Sequence, residues 1–262
     1  MGTRSTVAAE PAHDRFWDSY SRYYDCVYEL MPYRKLLWDT YQALDLQPGL
    51  RVLDAGCGTG NFEHFIAEKD HPPVRIDAVD FSPEMLARAQ AKCRDLDYVT
   101  FTRANLNDPL PFDDATFDRV VSINVLYAIE DWDHTMAELL RVLKPEGRMA
   151  LTSSLPEFRF APLLADHVRR IGNIWGARRR ARAVWNTIRV VATSGLGSAA
   201  MNVFVINRRE SDGQYYSPDH SALHAFLSEH TRNGLDAFDI DLAMADQNFL
   251  ATGTKACAAI AI

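Results

Sequence analysis

Cysteine is scarce: four in 262 residues, Cys26, Cys57, Cys93 and Cys257, far apart and with no C-x-x-C pair. That spacing excludes a disulfide framework and reads as reduced thiols. No run of 18 apolar residues is present, which excludes a membrane-spanning helix. The start, Met1-Gly2-Thr3-Arg4-Ser5-Thr6, continues into acidic and polar residues. It lacks a secretory apolar core, and a cytoplasmic protein is expected. Basic residues are in deficit, 28 against 35 acids for a net charge of −7, which disfavours nucleic acid as a partner. The histidine pair at metal-ligating spacing, His220 and His224, has no accompanying Glu. No metal is expected.

What is present is an ordinary globular balance, 47% hydrophobic and 24% charged, at a length that suits one large α/β domain. The charge is uneven. Between Glu157 and Arg189 there are eight Arg and two acids, so this basic stretch sits on an otherwise acidic chain.

Apolar positions from Asp14 to Met31 recur at three- and four-residue steps and predict an amphipathic helix. A second helix is expected at Tyr33 to Leu44, after Pro32. Strands and helices then alternate. Strands are expected at Leu50 to Asp54, Val74 to Val79, Tyr98 to Thr102, Phe117 to Ile123 and Arg148 to Thr152. Helices are expected at Asn61 to Lys69, at Pro83 to Arg94 from a Ser82 cap, and at Trp132 to Leu143, stopped by Lys144-Pro145-Glu146-Gly147. The alternation means a parallel sheet covered on both faces, with ligands beyond the carboxyl ends of its strands. From Pro156 to about Gln214 the chain reads as helical or irregular. A helix from Ser217-Pro218 to Arg232 and two strands, Phe238 to Met244 and Phe249 to Thr254, close it.

The stretch Val52-Leu53-Asp54-Ala55-Gly56-Cys57-Gly58-Thr59-Gly60-Asn61 runs from a strand through three alternate glycines into a helix. Free amides at the helix start would favour an anionic group. A dinucleotide site wants glycine where Asn61 stands, and a phosphate-binding P-loop wants a Lys that is missing. With its companions, the loop resembles motif I of the class I S-adenosylmethionine (SAM) dependent methyltransferases. Ala78-Val79-Asp80-Phe81-Ser82-Pro83-Glu84-Met85-Leu86 resembles that family's second motif, and Arg103-Ala104-Asn105-Leu106-Asn107 its third, with Asn where an Asp is usual. Phe117 to Val121, Ile123-Asn124-Val125-Leu126-Tyr127 and Leu139 to Arg148 resemble the fourth strand and the passage into the fifth.

The resemblance implies a Rossmann-like, seven-stranded sheet with helices on both faces, an N-terminal helical lid and a helical cap between strands five and six. In residues this divides into a tail at 1–12, the lid at 13–46, the SAM-binding core at 47–155, the cap at 156–216, and a closing helix with antiparallel strands at 217–262. The implied cofactor is S-adenosyl-L-methionine, leaving S-adenosyl-L-homocysteine. Its implied contacts are Asp54, Gly56, Cys57, Gly58, Gly60, Asp80, Phe81, Met85, Asn105, Leu106, Ile123 and Asn124. Asp80 is placed on the ribose hydroxyls, Phe81 or Met85 against adenine, and Asn105 on the adenine amino group.

Around the transferred methyl, Tyr127 reads either as a wall or as a group that orients the acceptor. Tyr20 and Tyr24 read as lid contacts or as core packing, and Trp132 as a helix start or a substrate contact. Trp175 and Arg178 stand for the aromatic, basic cap, read as a solvated helix or as a site for a carboxylate, phosphate or lipid headgroup. The implied activity is methyl transfer to a small or medium organic acceptor, at O, N or C, in the manner of quinone-type and natural-product enzymes. A lipid methyltransferase at a membrane surface and a non-catalytic SAM-binding partner are the alternatives. A small-molecule acceptor, anionic or amphipathic, is the expected partner, with a homodimer also considered.

Overall fold

The computed structural model describes residues 21, 24–69, 71–156, 158–188, 219–231 and 234–257. Seven strands form one sheet: β1 Arg51–Ala55, β2 Arg75–Asp80, β3 Val99–Arg103, β4 Phe117–Ile123, β5 Leu143–Ser154, β6 Leu235–Ala243 and β7 Asn248–Lys255. Their order is β3-β2-β1-β4-β5-β7-β6. β1 to β5 are parallel, and β7 enters antiparallel between β5 and β6. The helices are α1 Met31–Leu44, α2 Asn61–Ala67, α3 Pro83–Lys92, α4 Trp132–Val142, α5 Phe160–Gly172, α6 at 177–188, and α7 His220–Thr231.

Alternation along each strand feeds two cores. Val52, Val121 and Ala150 join Tyr33, Leu36, Phe62 and Phe65 on one face. Leu53, Val120 and Leu151 join Met136, Leu139, Leu223 and Phe249 on the other. A sheet buried on both faces explains why its strands read as short apolar runs. The chain runs outward through β1, β2 and β3, then returns to place β4 on the other side of β1. A crevice opens at the carboxyl ends of β1 and β4, where the winding reverses.

Two expectations need correction. The first expected helix is not continuous to Met31: Asp25–Glu29 is a 3-10 turn, Leu30 is extended, and α1 begins at Met31. Pro32 has no N–H to give to a preceding turn, so a helix cannot run through it, although it fits the first turn of α1. The rest of that expected helix lies mostly outside the described residues. Second, Lys144 to Gly147 is no loop. β5 starts at Leu143, which is fully buried and extended, and the register slips between the pairs Phe117–Leu143 and Arg119–Arg148. The four residues form a bulge, with Glu146 at φ 61°. Ser82 caps α3 as expected, its Oγ accepting from Met85 N at 3.2 Å.

Candidate cofactor and substrate site

A cleft enclosing about 900 Å³, its mouth included, lies at this crevice. Its walls come from the segments that follow β1, β2, β3 and β4. Eleven of the sequence-expected residues line it: Tyr24, Gly56, Gly58, Asp80, Phe81, Met85, Asn105, Leu106, Ile123, Asn124 and Tyr127.

Asp80 ends β2 and is nearly buried. Oδ2 accepts from Gly58 N and Oδ1 from Ser82 N, each at 2.9 Å. The orientation of the carboxylate is thus fixed by two backbone amides. Phe81, Met85 and Leu106 supply apolar wall beside it.

The glycine loop is held by its own chain rather than left open. Gly56 N and Cys57 N both donate to Val79 O, Gly58 N to Asp80, and Gly60 N to Cys57 O. The expected free amides at these four positions are thus taken. At these positions the loop offers a shaped wall. Gly56 has φ 86°, and a Cβ there would lie 2.4 Å from Val125 Cγ2. Its close approach is to the turn after β4. Gly60, at φ 76°, packs against Ala89 of α3 instead of entering the cleft.

Six expected residues are not brought to the cleft wall. Asp54 lies buried beneath the loop beside Glu63. Burial, with the Glu63 carboxyl alongside, pushes Asp54 well above the usual carboxylate range. Cys57 is buried with its Sγ toward Gly58 O at 3.8 Å, and burial pushes its thiol up as well. Gly60 faces α3. Trp132 starts α4, donates its indole N–H to Leu126 O at 2.9 Å and stacks edge-on against Phe226. Its indole N–H is thus satisfied, and Trp132 does not line the cleft. Trp175, 94% exposed, and Arg178 point to solvent from the segment after α5. Tyr20 lies outside the described residues.

Asn105 lines the cleft, but its Oδ1 accepts from Asn107 N at 3.1 Å and Asn107 Nδ2 at 3.3 Å, and its Nδ2 donates to Asp108. In this arrangement its side chain fixes the loop after β3. Asn107 Oδ1 in turn accepts from Glu130 N at 3.0 Å, tying that loop to the one after β4.

The sequence reading passed over Ala104, Asn107, Val125, Ala128, Ile129 and Glu130, which also line the cleft. They flank expected positions, so proximity to the strand ends was the available signal. Asn124 stands at φ 58°. Its N–H donates to Thr152 O at 2.9 Å, and its Oδ1 accepts from Asn248 Nδ2 at 2.6 Å.

The N-terminal segment closes one side. Tyr24 is half-buried against Gly58 beside Tyr33 and Asp80, and desolvation, then Tyr33, raises its phenol well above the usual value. It therefore stays protonated and can donate but not act as a base. Asp25 Oδ1 accepts from Lys92 Nζ at 2.6 Å and Thr59 Oγ1 at 2.5 Å, while Lys92 also donates to Asn61 Oδ1 at 2.6 Å. Arg88 Nε donates to Ser21 Oγ at 3.1 Å. The segment is pinned to α3 and to the glycine loop. Among the described residues no group of three or more His, Cys, Asp or Glu is arranged to hold a metal ion.

Comparison with known proteins bears on this geometry. A family profile described as a methyltransferase domain matches residues 46–183, just over half of the chain. A demethylmenaquinone methyltransferase of Bacillus cytotoxicus is 33% identical over 153 residues, 56% of this chain and 64% of that protein. The methyltransferase GfsG of Streptomyces halstedii is 36% identical over 112 residues, 42% of this chain and 40% of that protein. The chain thus spans less than two thirds of the length of these relatives. A solved structure of a SAM-dependent methyltransferase from Methanococcus maripaludis superposes with a TM-score of 0.58 at 16% identity, covering 98% of this chain and 100% of that one. That likeness is one of fold.

Proposed function

The chain belongs to the class I SAM-dependent methyltransferase family, and from that membership we propose that it moves the methyl group of S-adenosyl-L-methionine to a small or medium organic acceptor. The observation that carries the reading is Asp80: a carboxylate at the end of β2, oriented by two backbone amides at the wall of the cleft beside the glycine loop. The printed name of one relative, demethylmenaquinone methyltransferase, supports a small organic acceptor.

When bound, the cofactor supplies an already activated methyl on a sulfonium centre. The protein's task is to align two reactants and exclude water. Asp80 would hold the ribose, with Phe81, Met85 and Leu106 around the adenine. The Gly56 to Gly58 backbone with Ile123 and Asn124 would border the methionine end. Tyr24 and Tyr127, both at the cleft wall, would border the acceptor. Proton removal is needed only for an acceptor that holds its proton at neutral pH. An acceptor already bearing a lone pair or a carbanion needs no base.

The test uses methyl-labelled SAM, extract from the source organism, and an Asp80→Ala control. Label above control in an organic-soluble or small-molecule fraction is expected. Label in the macromolecular fraction would overturn the acceptor class. No transfer beside intact cofactor binding would favour the non-catalytic reading.

A further inference from the structure

Helix α6 turns its apolar residues outward. Asn186 Nδ2 donates to Glu29 Oε2 at 3.3 Å, and Thr187 Oγ1 meets His167 Nε2 at 2.9 Å, so 183, 186 and 187 mark the inner face. At 100° per residue the opposite side carries Ala177, Ala181, Val184, Trp185 and Ile188. Trp185 is 65% exposed and Ile188 53%. α5 does the same, with Leu163 and His167 inside and Leu164 and Val168 exposed. Trp175, between the two helices, is almost wholly exposed. On α6 Val184, Trp185 and Ile188 share one exposed stripe, and an exposed apolar face rimmed by polar residues marks an interaction site.

The charges beside the stripe identify what it fits. Arg178 and Arg182 fall on one flank of it and Arg180 on the other, all exposed. Residues 158–188 hold seven Arg and one acid, Asp166, which is already paired with Arg169 and Arg170. The arginines of α6 therefore have no acid on their own hairpin. An apolar stripe bearing Trp and bordered by cations is the pattern of a helix lying in an anionic bilayer interface.

A second copy of the chain docking face to face would set one arginine border against another, which is repulsive. Nucleic acid would take the arginines but leave Trp185, Val184 and Ile188 in water. We propose that the outward face of α5 and α6 is a docking surface for an anionic lipid bilayer. None of its residues lines the cleft, and the proposal goes beyond methyl transfer and stands if that reading falls.

The test is flotation of the full chain with vesicles of phosphatidylcholine alone or with phosphatidylglycerol added. Binding to the anionic vesicles is expected, stripped by high salt. Trp185→Ser with Ile188→Ser, or Arg178→Gln with Arg180→Gln and Arg182→Gln, should each weaken it by about 10-fold or more. All of these side chains are exposed, so the fold tolerates the changes; circular dichroism and cofactor affinity should match the parent. Absence of vesicle binding, or unchanged binding in both variants, would overturn the proposal. So would a homodimer in solution that the Trp185 and Ile188 variant splits, or retention of RNA in place of vesicles.

Discussion

Asn248 Nδ2 lies 2.6 Å from Asn124 Oδ1, joining the first residue of β7 to the turn after β4. Asn124 stands at φ 58° at the cleft wall and is also tied to Thr152 of β5. The antiparallel strand inserted late in the chain therefore holds in place a turn formed much earlier.

Replacing Asn248 tests that tie. Asn248→Ala should cost about 1 kcal/mol of stability by removing the shorter of two donors to Asn124 Oδ1, Thr152 Oγ1 at 3.3 Å being the other. That amounts to a fall in Tm of several degrees, with cofactor affinity reduced as well. Asn248→Asp should be worse at neutral pH, since it sets carboxylate against carbonyl. Thermal melts of the two variants beside the parent decide it; equal melting of all three would dismiss the role.

The Lys92 cluster should govern how firmly the N-terminal segment is held. Lys92→Met removes the ammonium from Asp25, Thr59 and Asn61. The Asp25 partner is partly exposed, so the loss should be modest, about 1 kcal/mol or less. Faster proteolytic cutting near residue 25 and a several-fold weaker cofactor are expected. Limited proteolysis with and without S-adenosylhomocysteine reads both.

Asp54 has a folded-state pKa raised above its unfolded value by burial, with Glu63 next to it. As pH climbs past the ordinary carboxylate range, the unfolded chain releases this proton while the folded chain keeps it. Stability contributed by the protonated acid is thus full at acid pH and is lost as pH rises toward the folded pKa. Asp54→Asn, which mimics the neutral acid and can donate to Glu63, should raise Tm at neutral pH. The gain should shrink as the solution is made acidic. A gain independent of pH would contradict the assignment.

His167 behaves in the opposite sense. Nδ1 accepts from Met31 N at 3.0 Å and Nε2 meets Thr187 Oγ1, which itself donates to Ala183 O. The ring is therefore neutral, with its proton on Nε2. Burial lowers its pKa, against the weaker pull of the neighbouring Asp166. Its contribution is present above the unfolded value and is lost as pH falls toward the folded one. Tm should drop between about pH 7 and about pH 5 by more in the parent than in His167→Gln. Parallel curves would dismiss it.

The fold and the strand-end turns that border the cleft were legible because they rest on local rules. Glycines at Gly56 and Gly60, the Ser82-Pro83 cap and Asp80 at a strand end are each forced by backbone geometry within a few residues. Contacts that depend on distant pairing were not legible. Nothing near Asn124 announces Asn248, since their meeting depends on the insertion of β7 beside β5. Trp132 reads as a helix start or a substrate contact, and what places it at the start of α4 is a single carbonyl, Leu126 O. Trp175 lies between two helices, and Arg178 on the second of them, whose inner faces are set by His167 and Glu29, partners no periodicity names.

The most direct measurement is a calorimetric titration of S-adenosylhomocysteine into the parent and into Asp80→Ala. Single-site binding to the parent, weakened about 10- to 100-fold in the variant, is predicted, because two charge-assisted hydrogen bonds are lost. No binding to the parent, or equal affinity in both proteins, would contradict the assignment of the cleft.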